Sequence, residues 1–109
     1  MAIAHLASGD TAKLQPLGDK LPGTPTTALF KDARMEVMRI VLTAGKRMPE
    51  HKVVGPITVQ CIEGRVEIRA GGKLIFMAAG DLLYLEGGVS HDLIAIENSS
   101  LLVTIAIVN

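Results

Sequence analysis

From residue 56 onward, the chain alternates short apolar runs with turn signals. The runs are rich in Val, Ile and Leu and read PITVQCI, VEIRA, KLIFM, LLYL, HDLIAI and LLVTIAIV. Segments rich in Gly, Asn and Ser separate them, with turns about eight to twelve residues apart. This spacing is typical of an antiparallel sandwich or barrel. We therefore predict an all-β fold.

Residues 27–43 fit two patterns. Met35, Met38 and Leu42 would form one stripe of a helix, whereas Met38, Ile40 and Leu42 alternate as they would in a strand. Because the segment is rich in β-branched residues, which favour strands, we predict strands here.

The first part of the chain carries turn-forming residues instead of a periodic pattern. Pro16, Pro22 and Pro25 fall within residues 1–26, together with several glycines. This composition predicts an extended arm lying over the domain. The length of 109 residues allows one domain, which we assign as a single barrel to residues 27–109.

Several predicted strands are apolar on both faces. The runs at residues 82–85 and 101–103 contain no polar interruption, although a sheet with one buried face needs only alternation. The second face must meet another element, either the arm or a second subunit. We predict a homodimer, with the alternative that the arm and the curvature of the sheet hide these residues.

The composition restricts the kinds of partner that we expect this protein to bind. The net charge is zero, with eleven residues of each sign and no block of like charge, so the attraction that drives nucleic-acid binding is missing. The apolar runs are shorter than a membrane span, and the first residues lack the positive region of a signal peptide. We expect a soluble, cytoplasmic protein with no nucleic-acid or membrane partner. Cys61 is the sole cysteine, so packing must hold the fold together.

Two histidines supply the candidate chemistry. His51 and His91 lie forty positions apart, each beside the end of a predicted strand, and we expect them to converge at the mouth of a small barrel. If His51 points inward, strand parity places Val53, Ile57, Val59 and Cys61 on its face. We expect them to form an apolar pocket, with Met48 at its rim. The alternative is that each histidine is a half-buried side chain bonded to a backbone carbonyl.

The residues around His51 resemble the first motif of the cupin superfamily, which reads G(X)5HXH(X)3-4E(X)6G. Gly45 and His51 have the expected separation, and the closing glycine falls on Gly64. The second histidine of the motif is replaced by Val53, and the glutamate by Ile57.

The residues around His91 resemble the second cupin motif, G(X)5PXG(X)2H(X)3N. Gly80, Gly88 and His91 match it in order and spacing, whereas Glu86 replaces the proline and Ala95 the asparagine. The resemblance implies an RmlC-like fold, an antiparallel jelly roll closed into a conical barrel.

Cupins commonly bind a divalent metal through the two histidines and the glutamate of the first motif and the histidine of the second. Only His51 and His91 remain here, whereas catalytic metals usually have three protein ligands. The resemblance thus implies at most a weak site, open to zinc, nickel, iron or manganese. The candidates for a third ligand are Glu50, Glu86, Asp92 and Cys61.

Two classes of function are compatible with this site. The first is a barrel that binds a small molecule, with or without weak metal dependence, in which the imidazoles hold the polar end of the ligand. The alternative is a metal-dependent enzyme of the dioxygenase, isomerase or decarboxylase type, as in many small cupins. We favour the binding barrel, because it needs no polar group that the sequence lacks, and we assign no catalytic residue.

Overall fold

The structure is a computed structural model that describes residues 5–108. Within this range the elements are almost all strands, which confirms the predicted all-β fold. They are a 3-10 helix at Gly18–Gly23 and the strands β1 (Thr27–Lys31), β2 (Met35–Leu42), β3 (Arg47–His51), β4 (Ile57–Glu63), β5 (Arg65–Ala70), β6 (Lys73–Ala78), β7 (Leu82–Leu85), β8 (His91–Ala95) and β9 (Ser99–Ala106).

The strands form two antiparallel sheets that pack face to face. The five-stranded sheet has the order β1-β2-β9-β4-β7, and the four-stranded sheet has the order β3-β8-β5-β6. Alternate residues of β4 and β5 are buried, as expected for strands with one face on the core. The core therefore lies between the sheets and includes Val59, Val66, Ile68 and Leu101.

The ambiguous segment at residues 27–43 forms strands β1 and β2, as predicted. Strand β3 was not predicted, because its sequence, RMPEH, contains a proline and three charged or titratable residues. Its position explains this composition. As an edge strand of the four-stranded sheet, β3 tolerates a residue that lacks a backbone donor.

The N-terminal arm is not wholly extended, which corrects the prediction for residues 1–26. Residues 18–23 form a short 3-10 helix that contains Pro22, and Leu21 within it is 1% exposed. The local prolines and glycines suggested an irregular chain, and the contact that buries Leu21 could not be seen in the sequence. Residues 1–4 of the predicted arm lie outside the described residues.

A polar cluster attaches the arm to the domain. The Glu63 carboxylate accepts hydrogen bonds from the backbone N–H of Leu17 at 2.8 Å and of Gly18 at 3.1 Å. It also accepts one from the Ser100 hydroxyl at 2.6 Å and lies 3.5 Å from the Arg39 guanidinium. These contacts join β2, β4 and β9 to the segment that enters the 3-10 helix.

The outer face of the five-stranded sheet carries two exposed hydrophobic side chains at its β7 edge, opposite Gln60 and Thr58 of β4. On β7, Leu82 and Tyr84 are 67% and 65% exposed. The described residues contain no helix with the length and hydrophobicity needed to cross a membrane.

Candidate functional site

The fold brings the two histidines together. Strand β3 ends at His51, β8 begins at His91, and these residues are partners in the antiparallel register of the two strands. The ring centroids are 4.3 Å apart, with the ring planes at 60° to each other. A register shift between Met48 and His51 accompanies the pairing. The convergence inferred from the motifs is therefore seen as an edge-to-face contact.

Each imidazole is held by the backbone of its own turn. Nδ1 of His51 lies 3.1 Å from the carbonyl oxygen of Pro49, and Nδ1 of His91 lies 3.0 Å from that of Val89. The alternative stated above, in which each histidine bonds a backbone carbonyl, therefore holds for the Nδ1 side of each ring. The opposite nitrogen, Nε2, takes no part in these bonds and is left for other chemistry.

A cavity of about 320 Å³ lies beside the histidines, between the two sheets. His51 is exposed and His91 is partly buried, whereas Leu101 and Ile68, which also line the cavity, are 0% and 1% exposed. The cavity therefore runs from an open polar end to a closed apolar end. The residues that line it are Met38, Ile40, Met48, His51, Val53, Ile57, Val59, Ile68, Leu85, His91, Asp92, Leu93, Leu101, Val103 and Ile105.

Four of the five predicted pocket residues, Met48, Val53, Ile57 and Val59, lie in this wall, but Cys61 does not. Cys61 faces the core as parity required and is 1% exposed, yet it lies farther along β4 than the cavity reaches. Strand parity predicts the face of a residue but not the depth at which a cavity ends.

The environment of Cys61 makes it a poor ligand or nucleophile. Its thiol donates weakly to the carbonyl oxygens of Glu63 and Gly64, at 3.4 and 3.7 Å. Burial, with a smaller effect from the Asp81 carboxylate, raises the pKa of the Cys61 thiol. Since the thiolate is the form that reacts and binds metal, this cysteine is a core residue.

In the part of the chain that the structure describes, no third metal ligand joins the histidine pair. Within residues 5–108, no three His, Cys, Asp or Glu side chains are grouped so as to hold a metal ion. Glu50 and Glu86 are exposed, and Asp92, which lines the cavity, faces Arg69 with its Oδ1 3.3 Å from Nε. Two imidazoles fall one ligand short of the usual catalytic site, so this donor set does not fit a resident catalytic metal.

The sequence reasoning missed the wall contributed by the five-stranded sheet. Ile40 on β2 and Leu101, Val103 and Ile105 on β9 close the cavity opposite the histidines. Their alternation along each strand was visible. The pairing of β2 with β9, which places them on one wall, depends on a register that the sequence does not display.

Comparison with known proteins gives a match to solved structures alone. No protein-family model and no curated protein matches the chain. A cupin superfamily protein from Desulfitobacterium hafniense is 17% identical, with a TM-score of 0.74 over 76% of each chain. An RmlC-like cupin from Shewanella frigidimarina is also 17% identical, with a TM-score of 0.74 over 98% of this chain and 94% of that one. This protein has the cupin fold. The predicted antiparallel jelly roll is thus confirmed.

The cupin fold also matches part of a larger enzyme. A salicylate 1,2-dioxygenase variant from Pseudoaminobacter salicylatoxidans is 20% identical, with a TM-score of 0.64 over 67% of this chain. The match covers 21% of the dioxygenase chain. At these identities the likeness concerns the fold.

The glycines of the two cupin motifs have a backbone role in this barrel. Gly45, Gly64, Gly80 and Gly88 all have positive φ, between 82° and 93°. This left-handed conformation is costly for residues with a Cβ atom, so each glycine permits a tight connection between strands. The motif spacing therefore reports turn geometry, and the functional question rests on the two histidines.

Proposed function

We propose that this cupin barrel binds a small, mostly apolar molecule, with His51 and His91 holding the polar end of that molecule. One observation carries the proposal. The cavity has apolar walls, and the two imidazoles lie together at its open end. A concave apolar site with a few convergent polar groups is the usual form of a small-molecule site.

The size of the cavity supports a small ligand. About 320 Å³ is at the lower end of the range of known ligand pockets. Burial of apolar surface would supply most of the affinity, at about 25 cal/mol per Å² removed from water. The imidazoles would supply orientation, because they are the paired polar groups at the mouth.

The metal-dependent enzyme is not favoured by the side chains present. Relative to the cupin motif, two ligand positions carry Val53 and Ile57, and both line the cavity as apolar wall. Replacing Val53 with histidine and Ile57 with glutamate would be needed to rebuild the metal site of the motif. The same two side chains enlarge the apolar surface that a ligand would contact, so they support binding in place of metal catalysis.

A matched pair of adjacent valines tests the proposal. Val53 lines the cavity, whereas Val54 is 77% exposed and does not line it. We expect propylbenzene to raise the melting temperature of the wild-type protein and of Val54→Phe, because a ligand of the native state stabilises it. In Val53→Phe the larger ring would occupy the mouth, and the shift should fall toward zero. Equal shifts in the two variants would contradict binding in this cavity.

A further inference from the structure

The hydrogen bonds of the two imidazoles fix which nitrogen faces the protein. In both rings Nδ1 lies within 3.1 Å of a backbone carbonyl oxygen, that of Pro49 for His51 and that of Val89 for His91. A carbonyl oxygen has lone pairs and no hydrogen, so Nδ1 must be the donor in each bond. A neutral imidazole carries one N–H, and both rings therefore have their hydrogen on Nδ1.

This tautomer makes the histidine pair a pair of acceptors. With the hydrogen on Nδ1, Nε2 of each neutral ring has a free lone pair. The ring centroids are 4.3 Å apart, so the two acceptors lie side by side. In this tautomer each ring can accept a hydrogen bond through Nε2.

Among residues 5–108, the other polar side chain that lines the cavity is Asp92, whose Oδ1 faces Arg69 Nε at 3.3 Å. A carboxylate at the mouth would meet lone pairs, and an ammonium group would compete with Arg69 for its counter-charge. A neutral group that donates a hydrogen bond fits both the imidazoles and the apolar wall.

We infer that the ligand belongs to the class of neutral hydroxyl compounds, a phenol or an alcohol with an apolar body, and that its O–H donates to Nε2 of the histidine pair. This inference rests on the proposed function and names the substrate class of the same site. A hydroxyl group desolvated at the mouth keeps its hydrogen bond there, whereas the corresponding ether has no hydrogen to donate.

Three compounds that share a para-propylphenyl group distinguish the contribution of the hydrogen-bond donor from that of apolar contact. Binding of para-propylphenol, para-propylanisole and para-propylbenzoate is measured by isothermal titration calorimetry, with and without EDTA. We expect the phenol to bind about tenfold more tightly than the anisole, which corresponds to one net hydrogen bond, and more tightly than the benzoate. EDTA should leave this order unchanged.

Replacing a histidine of the pair should remove the preference for the phenol over the anisole while the apolar pocket remains. In His91→Phe the ring remains and the nitrogen is lost, so we expect the phenol and the anisole to bind within about twofold of each other. His51→Phe provides the same test at the exposed ring if His91→Phe does not fold. His5→Phe is the control, because His5 is exposed and does not line the cavity.

The outcomes distinguish the two proposals. Equal binding of phenol and anisole by the wild type, or tightest binding of the benzoate, would overturn the hydroxyl class and leave the apolar pocket in place. A phenol preference that disappears in EDTA would assign the contact to a metal ion and also overturn it. Binding of none of the three compounds, together with no effect of propylbenzene, would reject the proposed function itself.

Discussion

At the scale of single residues, the Glu63 carboxylate is held by three hydrogen-bond donors and one guanidinium group. Burial alone would raise the pKa of its carboxyl. The hydrogen bonds from Ser100 Oγ and from the N–H groups of Leu17 and Gly18, with the charge of Arg39, hold the pKa below its ordinary value of 4.5. The ionised carboxylate therefore stabilises the folded state.

We expect Glu63→Gln to lower the free energy of unfolding by about 1–3 kcal/mol, because the amide replaces a charged acceptor of several hydrogen bonds. Urea denaturation at neutral pH measures this loss. Glu97→Gln is the matched control, since the Arg65–Glu97 pair is 3.8 Å apart with both side chains more than half exposed. Its expected cost is about 0.5 kcal/mol or less. Equal costs for the two variants would contradict the assigned role of Glu63.

The difference in the free energy of unfolding between wild type and Glu63→Gln should depend on pH in a direction set by the pKa of Glu63. Because the folded pKa of Glu63 is lower than 4.5, its contribution is fully present above that pH and is lost as the pH falls through the folded pKa. The gap in stability between wild type and Glu63→Gln should narrow below pH 4.5.

Individual residues could be predicted from the sequence where their spacing along the chain matches a motif. The cupin motif spacing singled out His51 and His91, which the structure places in contact. No comparable sequence signal marks Glu63, because its partners on the arm and on β9 are distant in the chain. The exclusion of Cys61 from the cavity wall depends on how deep the cavity extends, a property of packing.

At the scale of elements, Gly64 forms the one-residue connection between β4 and β5. It has φ +85°, and a Cβ atom built on it would lie 2.2 Å from both the Asn98 carbonyl oxygen and Ser99 Oγ. Ser99 is fully buried and also bonds the backbone of Arg65, so it cannot easily yield. Both the conformation and the space at this turn require glycine.

Gly45 and Gly64 have nearly equal φ but different surroundings, so comparing them distinguishes backbone strain from steric clash. Gly45 has φ +87° and nothing within 4 Å of a built Cβ atom. We expect Gly45→Ala to cost about 1–2 kcal/mol from backbone strain alone. Gly64→Ala adds contact with backbone and should cost more than about 4 kcal/mol or prevent folding. Denaturant unfolding followed by circular dichroism measures both, and similar costs would show that the turn can relax.

The elements that could be predicted from sequence are those with strong alternation. Strand β7 was predicted with its observed bounds, because LLYL lies between two turn signals. The edge strand β3 and the 3-10 helix were missed because their proline and charged residues are typical of loops. Both elements are stabilised by tertiary contacts, which local propensity does not report.

At the scale of the whole molecule, the homodimer remains a prediction. The outer face of the five-stranded sheet exposes Tyr84 at its β7 edge, and a second copy would cover it. We expect Tyr84→Lys to convert a dimer to a monomer in sedimentation velocity experiments. Phe76→Lys is the control, because Phe76 is 64% exposed on the other sheet. A wild-type protein that is monomeric at all concentrations would refute the prediction.

The position of β9 has a consequence for synthesis of the chain. This strand is paired on one side with β2 and on the other with β4, so it joins the two halves of the five-stranded sheet. A nascent chain that has left the ribosome only as far as β8 lacks that joint, and its apolar strands stay exposed to other nascent chains. The cupin barrel can therefore close only after residues 99–106 have left the ribosome.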